Sequence, residues 1–343
     1  MSSITKKRTL DAFFASSTKK ARASDPPGPI EIHGTAVVDE DKSVLAPSSH
    51  ATYPFPIPQL PVSIISRLDS LPAIAAKVID DQADLDLLYF QPYFPPSIAR
   101  LLFEFLRSEL PFYRVEYDIK RGGISTHIRT PRFTTVFGLD ETSLFDDASN
   151  VIDATTGKPY ARERCQKDRY YLKYPPRPIP TCLDVLRRST EAATGCTFNF
   201  CLVNYYASGS DSISYHSDDE HFLGLLPAIA SFSLGARRDF LMKHKPFTPD
   251  ASKLPPPECK AIKLPLTSGD LILMRGTTQS NWLHSIPKRS GRNAEDGGRI
   301  NITFRKALVK GGTENYYNYN VGTGPVFRWD RASGEMKVWK ANA

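Results

Sequence analysis

The sequence predicts an α+β fold, mainly β: a barrel or double-sheet jelly roll, buttressed by helices on its N-terminal side and preceded by a disordered tail. Three observations predict it. Seven short β-type runs follow one another after residue 196, with turn residues between them. Two earlier stretches carry apolar residues at helical spacing. Residues 1–60 are rich in Ser, Thr, Ala and Pro. With 41% hydrophobic residues among 343, the chain can bury a core, which excludes global disorder.

In chain order, ATYPFPIPQLP (51–61) places prolines too densely for a helix or a central strand, so the tail is expected to reach residue 60 and a domain to span 61–343. Residues 62–80 fit a short amphipathic helix interrupted by Pro72. SIARLLFEFLRSEL (97–110) has Ile98, Leu101, Leu102, Phe105 and Leu106 on one helical face, with Ser97 as cap and Pro111 as stop. FYRVEYDIK (112–120) and ISTHIR (124–129), joined by Arg121-Gly122-Gly123, read as a hairpin. The polar residues 139–168 read as a loop insertion. TCLDVLRRSTEAATG (181–195) reads as a second helix, capped by Thr181 and stopped by Gly195. The strands are TFNFCLVNYY, SISYHSD, IASFSLG, RDFLMKH, AIKLPL, DLILMRG and RINITFRKA. They are not mutually similar, which excludes an internal repeat.

The net charge of +7 is uneven. Residues 1–22 hold six basic side chains against Asp11 alone, a net of +5, which leaves only +2 for the rest. This is a basic tail on a nearly neutral body and does not by itself define a nucleic-acid-binding domain. Five cysteines without a CxxC pair argue against a disulfide scaffold and fit a reducing compartment. No apolar run approaches the ~18 residues needed to span a bilayer, and the N-terminus lacks an apolar signal segment, so neither membrane insertion nor secretion is expected.

Two constellations carry chemistry. In SISYHSDDE, His216 and Asp218 are two apart, a spacing that puts both on one face of a strand, and His284 follows about 66 residues later in SNWLHSIPK. Two histidines and one carboxylate with open positions make the facial triad of non-haem Fe(II) oxygenases, although HxD alone is also a common surface turn. In RINITFR (299–305), alternation puts Arg299, Asn301, Thr303 and Arg305 on one face and Ile300, Ile302 and Phe304 on the other. Buried guanidinium groups need anions, and a dicarboxylate would supply them; the alternative is a solvent-facing edge strand. Asn204 and Tyr206 share a face nearby and could complete a carboxylate's hydrogen bonds.

With these residues in place, the sequence resembles the AlkB family of Fe(II)/2-oxoglutarate-dependent dioxygenases, whose core is a double-stranded β-helix. The stretches that carry the likeness are NYYASGSDSISYHSDDE (204–220), IASFSLGARRDFLMKHK (229–245), SGDLILM (268–274), WLHSIPK (282–288) and RINITFR (299–305), and the likeness covers roughly 85–308. It is most like the nuclear branch that repairs alkylated DNA. The resemblance implies that His216, Asp218 and His284 bind Fe(II). It implies that Arg299 forks the distal carboxylate of 2-oxoglutarate, with Asn204, Tyr206, Asn301, Thr303 and Arg305 completing that pocket. Asp219 and Glu220 would face the target base. The implied reaction is oxidative: O₂ and 2-oxoglutarate drive hydroxylation of an N-methyl carbon on bases such as 1-methyladenine or 3-methylcytosine, and the hemiaminal collapses to formaldehyde and the repaired base. The same chemistry on RNA or on a protein side chain is the alternative.

The hairpin around residues 119–123 sits where the family carries a base-probing finger. Arg132 and Phe137 are then available to contact substrate, Tyr170, Tyr171 and Tyr174 to stack a flipped base, and Arg238 with its basic neighbours to track phosphates, a solvated charged strand being the equal alternative for the last. In the tail, Leu10, Phe13 and Phe14 are spaced i, i+3, i+4 and resemble a sliding-clamp interaction box, with Lys7 in place of the usual leading Gln. Lys6-Lys7-Arg8 and Lys19-Lys20-Ala21-Arg22 resemble a bipartite nuclear import signal. The expected setting is a monomer in the nucleus, acting on DNA.

Overall fold

The computed structural model describes residues 46–121, 124–160, 171, 173–246, 259–290 and 297–341. Its first elements are the one-turn helix α1 (Val62–Ile65), strands β1 (Lys77–Ile79) and β2 (Leu87–Phe90), and helix α2 (Pro96–Glu109). The hairpin β3 (Glu116–Arg121) and β4 (Ile124–Arg129), strand β5 (Phe133–Gly138), the ribbon β6 (Ser143–Phe145) and β7 (Val151–Asp153), and helix α3 (Thr181–Thr194) follow. Next come β8 (Phe200–Tyr206), β9 (Ile213–His216), β10 (Ile229–Gly235), β11 (Arg238–His244), β12 (Ile262–Leu266) and β13 (Leu271–Met274). The one-turn α4 (Thr278–Asn281) leads into β14 (Trp282–Ile286) and β15 (Arg299–Arg305). Helix α5 (Glu314–Asn320) and the ribbon β16 (Phe327–Asp330) and β17 (Glu335–Val338) come last.

A seven-stranded sheet, in the order β1-β2-β13-β10-β15-β8-β5, lies opposite a four-stranded sheet ordered β12-β11-β14-β9. From β8 to β15 the chain passes back and forth between the two sheets, always pairing antiparallel, which is jelly-roll connectivity. Strand alternation then decides which side chains meet. Ile300, Ile302 and Phe304 of β15 pack outward with Phe232, Leu234, Val203 and Tyr205 against Leu102, Phe103 and Leu106 of α2 and Leu183 and Leu186 of α3. Between the sheets, Tyr89, Ile229, Ile272 and Met274 meet Phe240, Met242, Leu266 and Trp282 and close one end. Toward the other end the inward positions include polar side chains from β8, β9, β14 and β15, and these form the site.

Several expectations change. Residues 46–60 belong to the body: Ile57 and Leu60 are core residues and the Tyr53 hydroxyl donates to Pro178 O, because a proline-dense strap can pack without forming regular elements. In 62–80 the chain makes α1, a 3₁₀ turn (Leu68–Ser70) and β1 rather than one helix. Ser97 makes no cap bond, since α2 starts at Pro96, where no amide needs a partner. Thr181 is the first residue of α3, and its amide is held by the distant Ser48 hydroxyl at 2.9 Å. Gly195 ends that helix at φ +68° as expected. The insertion is not simply a loop, because it carries the β6–β7 ribbon. Among the described residues, no helix is long and apolar enough to cross a membrane. Leu10, Phe13, Phe14 and the basic clusters around them lie outside the described residues.

Candidate active site

Strand pairing brings the first constellation together. His284 on β14 lies directly opposite His216 at the end of β9, with ring centroids 4.2 Å apart. The register shifts just past this pair, a local irregularity of the kind that re-aims side chains. Asp218 follows two residues after His216, beyond the strand, and its amide is held by Gln279 Oε1 at 2.9 Å. Its carboxylate stands 4.0 Å from His216 Nε2 and 3.9 Å from His284 Nε2. These separations are too long for hydrogen bonds, yet all three donor atoms lie within 4.8 Å of one another. His216 Nδ1 donates to Ser214 O at 2.9 Å, which turns Nε2 toward the carboxylate. Two imidazole nitrogens and a carboxylate with space between them fit a divalent transition metal.

The electrostatics keep these groups ready to ligate. Burial pulls His284 down to about 3, helped by His216 and Arg305 and opposed by Asp218, so its imidazole is neutral. Burial alone would raise Asp218, but the Arg305 guanidinium at 3.0 Å, with both imidazoles and Arg132, holds its carboxyl below the usual range. The sign of the linkage follows. Unfolded chain takes a proton at position 284 below about 6.5, whereas the metal-free folded chain resists it until about 3. The stability of the metal-free protein is therefore expected to fall as pH drops from about 6.5 toward 3, with Asp218 adding to the loss below 3.8. Denaturant midpoints across that window check this, and His284→Leu should flatten the slope.

The second constellation lines the same cavity, which measures about 760 Å³. Arg299, Asn301, Thr303 and Arg305 of β15 face inward with Asn204 and Tyr206 of the adjacent β8. Arg299 is buried; its Nη2 donates to Ser233 Oγ at 2.7 Å, while Nε and Nη1 have no partner. Burial pulls its pKa down to about 10 despite the nearby Tyr206 hydroxyl. Among the described residues it has no ion pair, so an anion is the missing neighbour, and a carboxylate matches the fork. Arg305 differs: it pairs with Asp218 and lies over the Tyr316 ring at 5.0 Å.

The sequence profile of the 2OG-Fe(II) oxygenase superfamily matches residues 86–305. Over 252 residues the chain is 30% identical to DNA oxidative demethylase ALKBH2 of Arabidopsis thaliana, covering 69% of this chain and 71% of that one. This chain belongs to the AlkB family of 2OG-Fe(II) oxygenases. It is also 40% identical over 138 residues to DNA oxidative demethylase ALKBH2 of Homo sapiens and 40% identical over 144 residues to alpha-ketoglutarate-dependent dioxygenase alkB homolog 3 of Rattus norvegicus. These alignments cover 40% and 39% of this chain and 51% and 45% of those proteins, so the chain spans about half the length of these two relatives. The superfamily's cofactors, Fe(II), 2-oxoglutarate and O₂, fit the donor set and the unpaired guanidinium described above.

Within this AlkB-type site the remaining expected residues divide. Glu220 lines the cavity, and so does Arg132, whose Nε donates to Asn204 Oδ1 at 2.8 Å. Asp219 points away and pairs with Lys245 at 2.6 Å. Phe137 is not placed to touch substrate: it is fully buried in the outer core and packs edge-on against Tyr53. Phe137→Ala should therefore cost about 3–5 kcal/mol of stability and leave relative rates among substrates unchanged, as chemical denaturation and paired assays would check. Tyr171 is also buried, its hydroxyl donating to Asp140 at 3.0 Å, so it cannot stack a base. Tyr174 packs beside the same cluster, away from the cavity lining. Arg238 is buried and spends its donors on the carbonyls of Ser208, Asp211 and Pro287, which forbids phosphate tracking.

The sequence reading missed others. Ser231 lines the cavity and Ser233 holds Arg299; both alternate with apolar Phe232 and Leu234 in IASFSLG, a period-2 signal that could have found them. Tyr117 on β3 stands 46% exposed at the cavity lining, and Tyr319 on α5 stands 63% exposed there.

Proposed function

We propose that this chain oxidatively demethylates N-methylated bases in DNA, such as 1-methyladenine and 3-methylcytosine. The observation that carries the reading is the convergence of His216, Asp218 and His284 with a buried, unpaired Arg299 in one cavity large enough for more than a small dicarboxylate. The names of the relatives support the DNA substrate. His216, Asp218 and His284 would hold the iron, which, when bound with 2-oxoglutarate, supplies the capacity to activate O₂ for attack on an unactivated methyl carbon. Arg299 binds and orients the distal carboxylate of the co-substrate, with Tyr206 and Asn204 along the same wall. Tyr117 and Tyr319 offer exposed ring faces to a base that has left the duplex. Glu220 accepts from an exocyclic amino group, and its charge suits a cationic lesion.

The basic tail suits a nuclear protein, and Leu10, Phe13 and Phe14 suit a sliding clamp, which would bring a monomeric enzyme to newly made DNA. The test supplies purified protein with iron, 2-oxoglutarate and matched methylated DNA, RNA and histone peptides. Release of formaldehyde with loss of the methyl group from DNA is expected. A clear preference for RNA or peptide would overturn the substrate, and no demethylation of any of them would overturn the reaction.

A further inference from the structure

Asp218 is the one member of the triad that no strand holds. Strand β9 ends at His216, and residues 217–220 form no regular element, so the place of the carboxylate depends on what fixes that loop. The loop meets α4, a single turn that is itself firmly seated on the residues leading into β2. The Thr278 hydroxyl accepts the Asp86 amide at 2.9 Å, and the Arg275 guanidinium pairs with the Asp86 carboxylate at 2.7 Å. The Arg275 amide donates to Asp86 O at 2.9 Å, and Trp282 Nε1 donates to Ala83 O at 3.0 Å. Turn α4 is thus a fixed post beside the ligand loop.

Gln279 projects from that post and is 1% exposed. Its Oε1 accepts the Asp218 amide at 2.9 Å, and its Nε2 donates to Met274 Sδ at 3.1 Å. A thioether is a weak acceptor, and an apolar side chain would fill the same space without desolvating an amide. What the amide adds is therefore the bond to Asp218. A second tie joins the same two segments: Lys245 Nζ donates to Asp219 Oδ2 at 2.6 Å and to Gln279 O at 3.3 Å. Arg305, from β15, meets the Asp218 carboxylate at 3.0 Å. The main chain and the side chain of Asp218 are thus held from different elements.

We infer that Gln279 is a positioning residue for the metal site: it pins the Asp218 main chain, so that the carboxylate is already aimed at the two imidazole nitrogens before an ion arrives. This rests on His216, Asp218 and His284 being the metal ligands and not on the choice of substrate. Without the acceptor, the Asp218 amide must find water or stay unpaired, and the loop shifts to relieve it. A ligand displaced in this way weakens the hold on the ion and changes its coordination geometry.

The test titrates Co(II) into the purified full chain and its variants and records both the affinity and the visible spectrum of the bound ion, which reports its coordination geometry. Gln279→Met keeps an unbranched side chain of similar length and removes the amide. It should weaken Co(II) binding about 10–100-fold and alter the spectrum. Gln279→Glu should restore both, because a carboxyl group, ionised or protonated, still accepts the Asp218 amide, although its burial should lower the unfolding midpoint. Met274→Leu removes only the thioether partner and should weaken Co(II) binding far less. Wild-type affinity and an unchanged spectrum in Gln279→Met, whatever its stability, would reduce Gln279 to packing and overturn the inference while the metal site stood. A folded Gln279→Glu that binds no better than Gln279→Met, or an equal loss in Met274→Leu, would overturn it as well. A wild-type chain that binds no Co(II) removes the metal site and this inference together.

Discussion

Asp218→Ala is expected to abolish iron binding and to destabilise the protein at the same time. The first effect follows from its place between two imidazole nitrogens at 4.0 and 3.9 Å. Losing a partner outside the ligand shell typically costs 10–100-fold in metal affinity or activity, so losing a ligand should cost more than about 100-fold. The second effect comes from Arg305. This guanidinium is 3% exposed and pairs with Asp218 at 3.0 Å. Removing one member of a buried pair strands the other charge, a penalty of about 3–5 kcal/mol. Two companion variants separate the effects. Asp218→Asn leaves Arg305 a neutral acceptor, so stability should fall less while iron is still lost. Asp218→Ala with Arg305→Met removes both charges, and stability should recover without recovery of iron. Iron titration and denaturant unfolding on the three proteins check this; unchanged iron binding in Asp218→Ala would mean the site is misassigned.

The parts of the site legible in the sequence were those governed by strand periodicity. Period-2 alternation in RINITFR sorted Arg299, Asn301, Thr303 and Arg305 from Ile300, Ile302 and Phe304, and the structure separates them the same way. The i, i+2 spacing of His216 and Asp218 survives even though β9 ends at His216. Misreadings arose where burial depends on distant chain. Phe137 in TPRFTTVFG reads as available because nothing adjacent in sequence shows what covers it, and the structure puts β5 at the edge of its sheet. Phe137 is nevertheless covered, by Tyr53 from the proline-rich strap, while Thr134 on the same strand is bonded to α5. Both covers come from opposite ends of the chain, where no local pattern announces them. Arg238 fails for a related reason: its charge looks exposed in RRDF, but loops far away in sequence present carbonyls to it. Helix α5 was invisible because ENYYNYN carries aromatic and amide groups all round rather than an apolar stripe.

Arg299→Leu is expected to produce the opposite trade, a more stable protein that cannot hold its co-substrate. In the co-substrate-free protein Arg299 is buried with two nitrogens unpartnered. Burial, with the nearby Arg238 charge, pulls its pKa down to about 10 against the pull of Tyr206 and Asp270, so keeping the buried group charged carries a penalty in stability. Leucine removes that penalty and leaves only Ser233 short of a donor, so the unfolding midpoint should rise. Against this, a carboxylate gripped by the fork gains charge-assisted bonds of about 1.5–3 kcal/mol each, and losing two should raise the KM for 2-oxoglutarate at least about a hundredfold. Saturating 2-oxoglutarate with a redox-inert divalent ion should then stabilise the wild-type chain and not the variant. Arg299→Lys tests the geometry separately from the charge, because a single ammonium cannot reproduce two parallel bonds, and its KM should lie between the two. An Arg299→Leu protein that is less stable than wild type, or that keeps its KM, would show that this guanidinium already has a partner inside the protein and is not reserved for a dicarboxylate.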